Sequence, residues 1–181
     1  MREILGKLVR AWLQSDPLPR MRKQGLVVGR NFAMMEDVML DHDHIWHIAI
    51  GDDVTLAPRV QILAHDASTK RYMNCTRIGK VSIGNRVFIG AATIILPGVT
   101  IGSDVVIGAV SVVTGNIPSG VVAAGNPVRV ICSLDEFIEK RKQEQAEVPY
   151  FGVEFTVRGH ISEGKKAEMN RQMKEGRGYV R

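Results

Sequence analysis

The sequence has few of the features that mark a secreted, membrane-spanning or nucleic-acid-binding protein. Only 2 of its 181 residues are cysteines, too few for a disulfide framework, so a reducing cytoplasm is the expected compartment. No apolar run is long enough to span a membrane, and the charged N-terminal residues MREILGKLVR carry no cleavage signature of a signal peptide. The formal net charge is +5, but the basic residues form no long run. We therefore expect neither a nucleic-acid partner nor stable membrane insertion.

Aromatic residues are also scarce, at 6 %, whereas glycine is abundant, with 18 residues. The segment VSIGNRVFIGAATIILPGVTIGSDVVIGAVSVVTG (81–115) has an aliphatic residue at every sixth position: Ile83, Ile89, Ile95, Ile101, Ile107 and Val113. Six residues turn an α-helix by about 600°, so these positions would not share one helical face. A single strand of about 30 residues would far exceed the usual strand length.

The six-residue period instead predicts short strands separated by corners, with three hexads closing one triangular coil. Successive coils then stack in parallel at the inter-strand spacing of about 4.8 Å. The aliphatic residue points inward, and the position four residues later must be slim, which fits Val87, Thr93, Val99, Val105 and Ser111. Glycine follows many of the aliphatic positions, and we attribute this to the conformation of the corners. This regularity favours a solenoid over a β-sandwich.

The period extends upstream with two interruptions. Four coils and a closing strand are expected: 28–45, 50–64, 83–100, 101–118 and 121–124. An excursion from the solenoid is expected at 65–80.

The chain is therefore expected to have three parts: an N-terminal helix and linker (1–25), the β-helix domain (26–132) and a C-terminal helical tail (133–181). Apolar residues place a helix at 3–13, which Pro17 and Pro19 end. In the tail, a capping box at 133–136 predicts a helix to about Ala146. Ser162 predicts a second helix through about Glu175.

Residues 83–131, IGNRVFIGAATIILPGVTIGSDVVIGAVSVVTGNIPSGVVAAGNPVRVI, closely resemble the hexapeptide-repeat acyltransferases, and most closely the branch of galactoside, maltose and polysaccharide O-acetyltransferases. The most specific segments are IILPGVTIG (94–102), GNP (125–127) and ILAHD (62–66). The resemblance implies a mainly β fold, a left-handed parallel β-helix with short flanking helices. It also implies a homotrimer with active sites between subunits and acetyl-CoA as the acyl donor, a cosubstrate.

His65 is the candidate general base. Acetyl transfer to a hydroxyl needs a group that takes the hydroxyl proton, and the pKa of histidine suits this task near neutral pH. His65 stands at the base of the 65–80 excursion, which matches the position of the family's catalytic histidine. Asp66 follows it and is assigned to the substrate site. Asp66 is also a candidate for orienting the imidazole, although strand alternation would point adjacent side chains apart.

The segment DHDHIWH (41–47) contains three histidines and invites a zinc interpretation. The related γ-type carbonic anhydrases place their zinc histidines across neighbouring coils, but the later coils here contain no histidine, so no functional metal is expected. The resemblance instead assigns Asp41 and Asp43 to the hydroxyls of the acceptor.

The resemblance also assigns the donor site. Small residues at Ala91, Ala109 and Thr114 would let the backbone approach the pantetheine arm of coenzyme A. Arg129 matches a basic position near the nucleotide phosphates. Phe88 takes the place of an aromatic residue beside the thioester.

We therefore expect an acetyl-CoA-dependent O-acetyltransferase that modifies a sugar hydroxyl by direct transfer, in cell-surface or capsular polysaccharide biosynthesis. An alternative within enzymes is a different small acceptor, such as an antibiotic, an amino sugar or serine. A second alternative is a non-enzymatic β-helix that serves as a binding module.

Overall fold

A computed structural model describes residues 17–174 and 176–181, so the helix predicted at 3–13 lies outside the described residues. The chain divides into two units, one ending at Leu134 and one comprising Asp135–Arg181. The first described element is helix α1 (Leu18–Lys23), in a segment for which the sequence suggested a linker. Pro17 and Pro19 lie at its start, where proline costs no intrahelical hydrogen bond, and the prediction that they end a helix at 3–13 stays a prediction.

Three sheets of short parallel strands form the faces of a triangular coil. Face A contains β1 (Val27–Val28), β4 (Ile48–Ile50), β9 (Val81–Ile83) and β12 (Thr100–Ile101). Face B contains β2 (Ala33–Met34), β5 (Thr55–Leu56), β10 (Val87–Ile89), β13 (Val105–Ile107) and β15 (Val121–Ala124), which pairs with the antiparallel strand β16 (Arg129–Ser133). Face C contains β3 (Met39–Leu40), β6 (Gln61–Ile62), β11 (Ile94–Ile95) and β14 (Val112–Val113).

The chain visits faces A, B and C in turn, and the predicted register is confirmed. On face A, for example, Val28 pairs with Ile50, Ile50 with Ile83, and Ile83 with Ile101. The repeated aliphatic residues fill the centre and are buried: Leu40, Ile50, Leu56, Ile62, Ile83, Ile89, Ile95, Ile101, Ile107 and Val113. Truncating one such buried side chain to alanine typically costs about 2–5 kcal/mol, so this aliphatic column is the main stabilising feature of the unit.

Two polar residues at the slim positions are also buried, and both are hydrogen-bonded. The Thr93 hydroxyl donates to the Gly108 carbonyl at 3.1 Å, and the Ser111 hydroxyl donates to the same carbonyl at 2.6 Å. These bonds remove the penalty of burying a bare hydroxyl.

Glycine is needed at the corners for a different reason from the one expected from the sequence. Gly84 and its equivalents have ordinary φ, whereas the residue two positions later is left-handed, as at Arg86 (φ 54°) and Asp104 (φ 58°). Glycine is required because of close stacking: a Cβ on Gly84 would lie 2.7 Å from the carbonyl carbon of Gly102 in the next coil.

A polar ladder runs along the corner between faces A and B. The Asn85 Oδ1 accepts from the Asp52 backbone N–H at 2.8 Å, and the Ser103 Oγ accepts from the Asn85 N–H at 3.0 Å. The Ser119 Oγ accepts in turn from the Ser103 N–H at 3.0 Å. Each corner amide therefore finds a side-chain partner in the next coil, which the parallel strands alone would not supply.

Two insertions leave the coil where face C passes to face A. The first contains a 3₁₀ turn (Ile45–His47), and the second is the excursion predicted at 65–80. In the excursion, β7 (His65–Asp66) pairs antiparallel with β8 (Arg77–Ile78), and helix α2 (Lys70–Met73) lies between them.

The second unit contains α3 (Leu134–Glu147), β17 (Tyr150–Phe151), a 3₁₀ turn (Val153–Phe155), α4 (Glu163–Gln172) and β18 (Tyr179–Val180). Ser162 caps α4 by accepting from the Lys165 N–H, as the sequence predicts, but the helix ends at Gln172. The half-buried Glu144 carboxylate contacts Arg141, Arg177 and the Tyr179 hydroxyl. No helix in the described residues has the length and apolar character needed to cross a membrane.

Val110 provides a test of corner strain, because it is a β-branched residue at a φ of 57° with 72 % of its surface exposed. Left-handed conformation costs such a residue about 1–2 kcal/mol, and asparagine tolerates it far better. We expect Val110→Asn to raise the melting temperature by about 2–4 °C in thermal unfolding monitored by circular dichroism. Val130→Asn, at an exposed strand position without positive φ, should give no gain. An unchanged or lower melting temperature for Val110→Asn would contradict the strain.

Candidate functional site

The two insertions meet at the corner between faces C and A because they leave consecutive coils. The backbone N–H of Asp41, at the end of the first coil, donates to the Ile62 carbonyl in the second coil at 2.9 Å. This parallel stacking places residues after β3 beside residues after β6. Asp41 and His65 therefore come together although 24 residues separate them in the chain.

The Asp41 carboxylate holds the His65 ring. Asp41 Oδ2 lies 2.6 Å from His65 Nδ1 and also accepts from the Ala64 N–H at 2.8 Å. Asp41 Oδ1 accepts from the backbone N–H groups of Asp43 and His44, each at 3.1 Å. Four donors thus occupy the roughly four acceptor positions of a carboxylate, and the Asp41 side chain is only 1 % exposed.

This arrangement favours the ionised form of the Asp41 carboxyl. Burial raises the pKa of the Asp41 carboxyl, but the hydrogen bonds from Ala64, His65 and His44 lower it by more, so the pKa lies below its ordinary value. An ionised carboxylate can only accept, so Nδ1 of His65 carries the hydrogen. Nε2 is the ring nitrogen that Asp41 does not engage, and the side chain is 32 % exposed.

Aromatic rings extend from His65 along the first insertion. The His44 ring centroid lies 5.0 Å from that of His65 and 5.5 Å from that of Trp46. The His47 ring meets Trp46 edge-on at 5.7 Å. The Nδ1 atoms of His44 and His47 are buried and have no hydrogen-bond partner among the described residues.

Asp41, His44 and His65 each offer a ligand atom within 4.8 Å of the others, a spacing that a metal ion could use. The Asp41 oxygens, however, already accept four hydrogen bonds, and an ion would have to displace at least one of them. The chemistry of the cluster therefore fits an oriented histidine better than a metal centre. The absence of a functional metal stays a prediction.

The three aspartates assigned to the acceptor differ in their surroundings. Asp41 is buried and saturated with donors, so its predicted contact with sugar hydroxyls is replaced by the role of orienting His65. Asp66 does not orient the ring, because its carboxylate turns back to accept from the Ser68 N–H at 2.9 Å. Asp43 alone of the three is exposed near His65.

Two of the residues assigned to the donor share one cleft. Thr114 and Arg129 line a cleft of about 260 Å³ together with Val128 and Val130. Thr114 follows β14 at the same corner as His65, two coils further along the axis. One guanidinium nitrogen of Arg129 donates to the Val128 carbonyl at 2.8 Å, which holds the side chain beside the cleft.

The other three donor candidates lie elsewhere on the prism. Ala91 and Ala109 follow β10 and β13, at the corner between faces B and C. Phe88 lies on face B, with 45 % of its surface exposed. Face B is opposite the corner that carries His65, so a single chain does not bring these residues to the histidine.

Sequence reasoning missed the contact between Asp41 and His65, although the signal was present. Leu40 and Ile62 occupy equivalent inward positions, so Asp41 and the 63–65 segment leave the same corner in consecutive coils. Searching for an orienting group in the neighbouring coil, rather than at the adjacent residue Asp66, would have identified it.

Comparisons with known proteins support the same fold. The family model described as bacterial transferase hexapeptide (six repeats) matches residues 80–115. Protein CapG of Staphylococcus aureus is 39 % identical over 145 residues, which cover 77 % of this chain and 83 % of CapG. Galactoside O-acetyltransferase of Escherichia coli (strain K12) is 37 % identical, over 70 % of this chain and 62 % of that protein.

Among solved structures, a galactoside acetyltransferase in complex with coenzyme A superposes with a TM-score of 0.57 at 38 % identity. The match covers 64 % of this chain and 58 % of that structure. The predicted fold class, a left-handed parallel β-helix, is confirmed.

Asp41→Asn tests the electrostatic role of the buried carboxylate. Because the pKa of Asp41 is lower in the folded state, the stabilisation is fully present above the unfolded-state pKa of about 3.9 and is lost as pH falls through the folded-state pKa. At neutral pH, the free energy of unfolding of wild type should exceed that of Asp41→Asn by about 1.5–3 kcal/mol. This difference in stability should become smaller below about pH 4, when thermal unfolding of both proteins is measured across a pH series.

The exposed neighbour offers a matched control, since Asp43→Asn should leave the melting temperature close to wild type throughout the pH series. A gap between wild type and Asp41→Asn that stays constant down to the lowest pH would contradict an ionised, hydrogen-bonded Asp41.

Proposed function

We propose that this chain, which belongs to the hexapeptide-repeat acyltransferase family, acetylates a hydroxyl group of a sugar. Family membership rests on the match of the hexapeptide family model to residues 80–115, together with the 39 % identity to CapG over most of both chains. The chain is accordingly an acyltransferase, and acetyl-CoA is its acyl donor. A sugar acceptor is supported by the galactoside O-acetyltransferase relative, of which the match spans 62 %. We also propose that this reaction belongs to cell-surface or capsular polysaccharide biosynthesis.

The observation that carries the proposal is the Asp41–His65 pair at an open corner. His65 presents an unblocked Nε2 while its Nδ1 is fixed at 2.6 Å from a buried carboxylate. This geometry orients the imidazole and stabilises the imidazolium that forms when the ring accepts a proton. A plain surface histidine would need no such partner.

The reaction follows from this arrangement. The acceptor hydroxyl oxygen attacks the thioester carbonyl carbon of acetyl-CoA, and His65 Nε2 takes the hydroxyl proton. The carbon–oxygen bond forms, the carbonyl becomes a tetrahedral oxyanion, and backbone N–H groups would stabilise its charge. Collapse breaks the carbon–sulfur bond, and the proton on the imidazolium passes to the departing thiolate. The products are the O-acetyl sugar and coenzyme A, with His65 restored.

We propose the following roles for the residues that bind acetyl-CoA. Arg129 would hold the nucleotide phosphates, because a guanidinium fork matches phosphate geometry, and the cleft with Thr114 would receive the adjoining chain. Ala91 and Ala109 would let the pantetheine arm approach the backbone, and Phe88 would form an apolar wall. Asp43 and Asp66 remain proposed contacts to the acceptor.

The distribution of these residues supports a homotrimer with shared sites. His65 lies at the corner opposite face B, whereas Phe88 lies on that face and Ala109 at its edge. One prism cannot bring a face to its opposite corner, but a second copy placed beside the first can. Closed cyclic symmetry then repeats the same site at every interface.

Two other interpretations lead to different observations. An acetyltransferase for an antibiotic, an amino sugar or serine would release coenzyme A only with that acceptor in a mixed acceptor panel. A non-enzymatic binding module would release none with any acceptor. The Asp41–His65 pair favours an enzyme, because a binding module has no need of an oriented proton acceptor.

His65→Ala removes the proposed base. We expect kcat to fall by about 10²–10⁴-fold, because general base catalysis contributes that much. The assembly mass should stay unchanged, and the melting temperature should fall, because the buried Asp41 carboxylate loses one of its hydrogen bonds. His42→Ala, an exposed histidine in the first insertion, serves as the control and should keep wild-type turnover. Residual turnover above about a tenth of wild type in His65→Ala would refute the assignment.

Mixed assemblies test the shared site. His65→Ala and Ala109→Trp should each be inactive as pure assemblies, the second because the indole fills the donor groove. When the two are co-expressed in equal amounts, about a quarter of the interfaces combine an intact His65 from one copy with an intact groove from another. Coenzyme A release should therefore recover to about a quarter of wild type. No recovery in assemblies shown by native mass spectrometry to contain both chains would place the whole site within one chain.

A further inference from the structure

An exposed tryptophan contacts His44, whose ring also contacts the proposed base, and it has no role in the reaction described above. Trp46 is 55 % exposed, although tryptophan is among the largest apolar side chains. The sequence contains only 2 tryptophans, and the other, Trp12, lies outside the described residues. An exposed indole on the insertion that contacts the proposed base calls for a physical reason.

The backbone that carries Trp46 is held firmly. The preceding residue, Ile45, is completely buried and anchors the 3₁₀ turn. On the other side, Gly25 packs so closely that a Cβ there would lie 2.7 Å from the Trp46 Cβ. The indole is therefore presented to solvent from a fixed base, and its exposure is a property of the turn.

The same insertion is tied to the His65 ring. The His44 N–H donates to Asp41, the residue that orients His65. The His44 ring centroid lies 5.0 Å from that of His65 and 5.5 Å from that of Trp46, so His44 contacts both rings. A molecule whose hydroxyl reaches His65 would extend over His44 toward the indole.

We propose that Trp46 is the stacking platform for a pyranose ring of the acceptor, a role that rests on the sugar acetyltransferase function proposed above. The faces of a pyranose carry C–H groups with partial positive charge, and an indole face carries the negative part of its quadrupole. The ring edges carry hydroxyls, which the exposed Asp43 carboxylate on the same insertion can accept. An acyclic polyol has the hydroxyls but no flat apolar face, so it should bind far more weakly.

The direct test uses the fluorescence of the indole. In a Trp12→Phe protein, Trp46 is the remaining tryptophan, and it is titrated with methyl galactoside, methyl glucoside and maltotriose. We expect a saturable change in emission with at least one pyranoside and none with sorbitol at the same concentration. His65→Ala in this background should bind the pyranoside equally well, because the platform does not depend on proton transfer.

Kinetic variants separate stacking from general apolar contact. Trp46→Phe keeps an aromatic face, Trp46→Leu keeps apolar bulk, and Trp46→Ala keeps only the Cβ that contacts Gly25. We expect KM for the acceptor to rise about tenfold in Trp46→Leu and Trp46→Ala and only slightly in Trp46→Phe. KM for acetyl-CoA and the melting temperature should stay at wild-type values in all three.

The outcomes distinguish this inference from the function on which it rests. Sugar acetylation with an unchanged acceptor KM in Trp46→Ala, and no pyranoside effect on fluorescence, would overturn the platform and leave the activity standing. A pyranoside effect without any sugar acetylation would support the platform and refute the activity. A lower assembly mass for Trp46→Ala would assign the indole to a contact between copies and would also overturn the proposal.

Discussion

The parallel backbone ladder between equivalent residues of successive coils is the constraint on which the other features depend. It superposes Leu40 on Ile62 and therefore brings together the residues that follow them. Aliphatic burial drives the coil to form. A one-residue slip of a strand would turn its inward aliphatic side chain outward and would unpair backbone groups at the strand ends, so burial and the ladder together fix the register. The Asp41–His65 distance is thus fixed by the same bonds that hold the fold.

The residues proposed for proton transfer lie at a corner rather than on a face, for a steric reason. Each face presents short strands in which alternate residues must point inward, so a face has little freedom to vary. The corner between faces C and A lies where one strand has ended and the next has not begun, and it accepts insertions of very different length. Asp41 then stabilises both the fold and the site, since its carboxylate caps the first insertion through Asp43 and His44 while it holds His65.

The sequence predicted the coil and its interruptions well because a strict period of six leaves few alternatives. Leu40, Ile62 and Ile95 could each be placed inward before any coordinates were known, and the excursion at 65–80 followed from the gap between Ile62 and Ile83. Left-handed residues such as Val110 could not be predicted, since their conformation depends on stacking against the next coil and not on local propensity. Contacts between coils also explain why Asp41, and not Asp66, orients the His65 ring. Adjacency in the chain suggested Asp66, whereas the decisive contact runs between coils.

The three-sided geometry also explains why the proposed acceptor residues and most of the proposed donor residues lie on different parts of the coil. The groups assigned to the proton transfer and to the acceptor, His65 and Trp46, lie in consecutive coils at one corner and are connected by His44. Most of the groups assigned to the donor lie on the opposite face or at its edge, where Phe88 is left exposed. In the proposed arrangement, a chain of this shape builds the acceptor site from its own insertions, and the flat face of another copy completes the donor site. The acceptor specificity can then change through the insertions at residues 41–47 and 65–80, while the donor surface keeps the regularity of the coil.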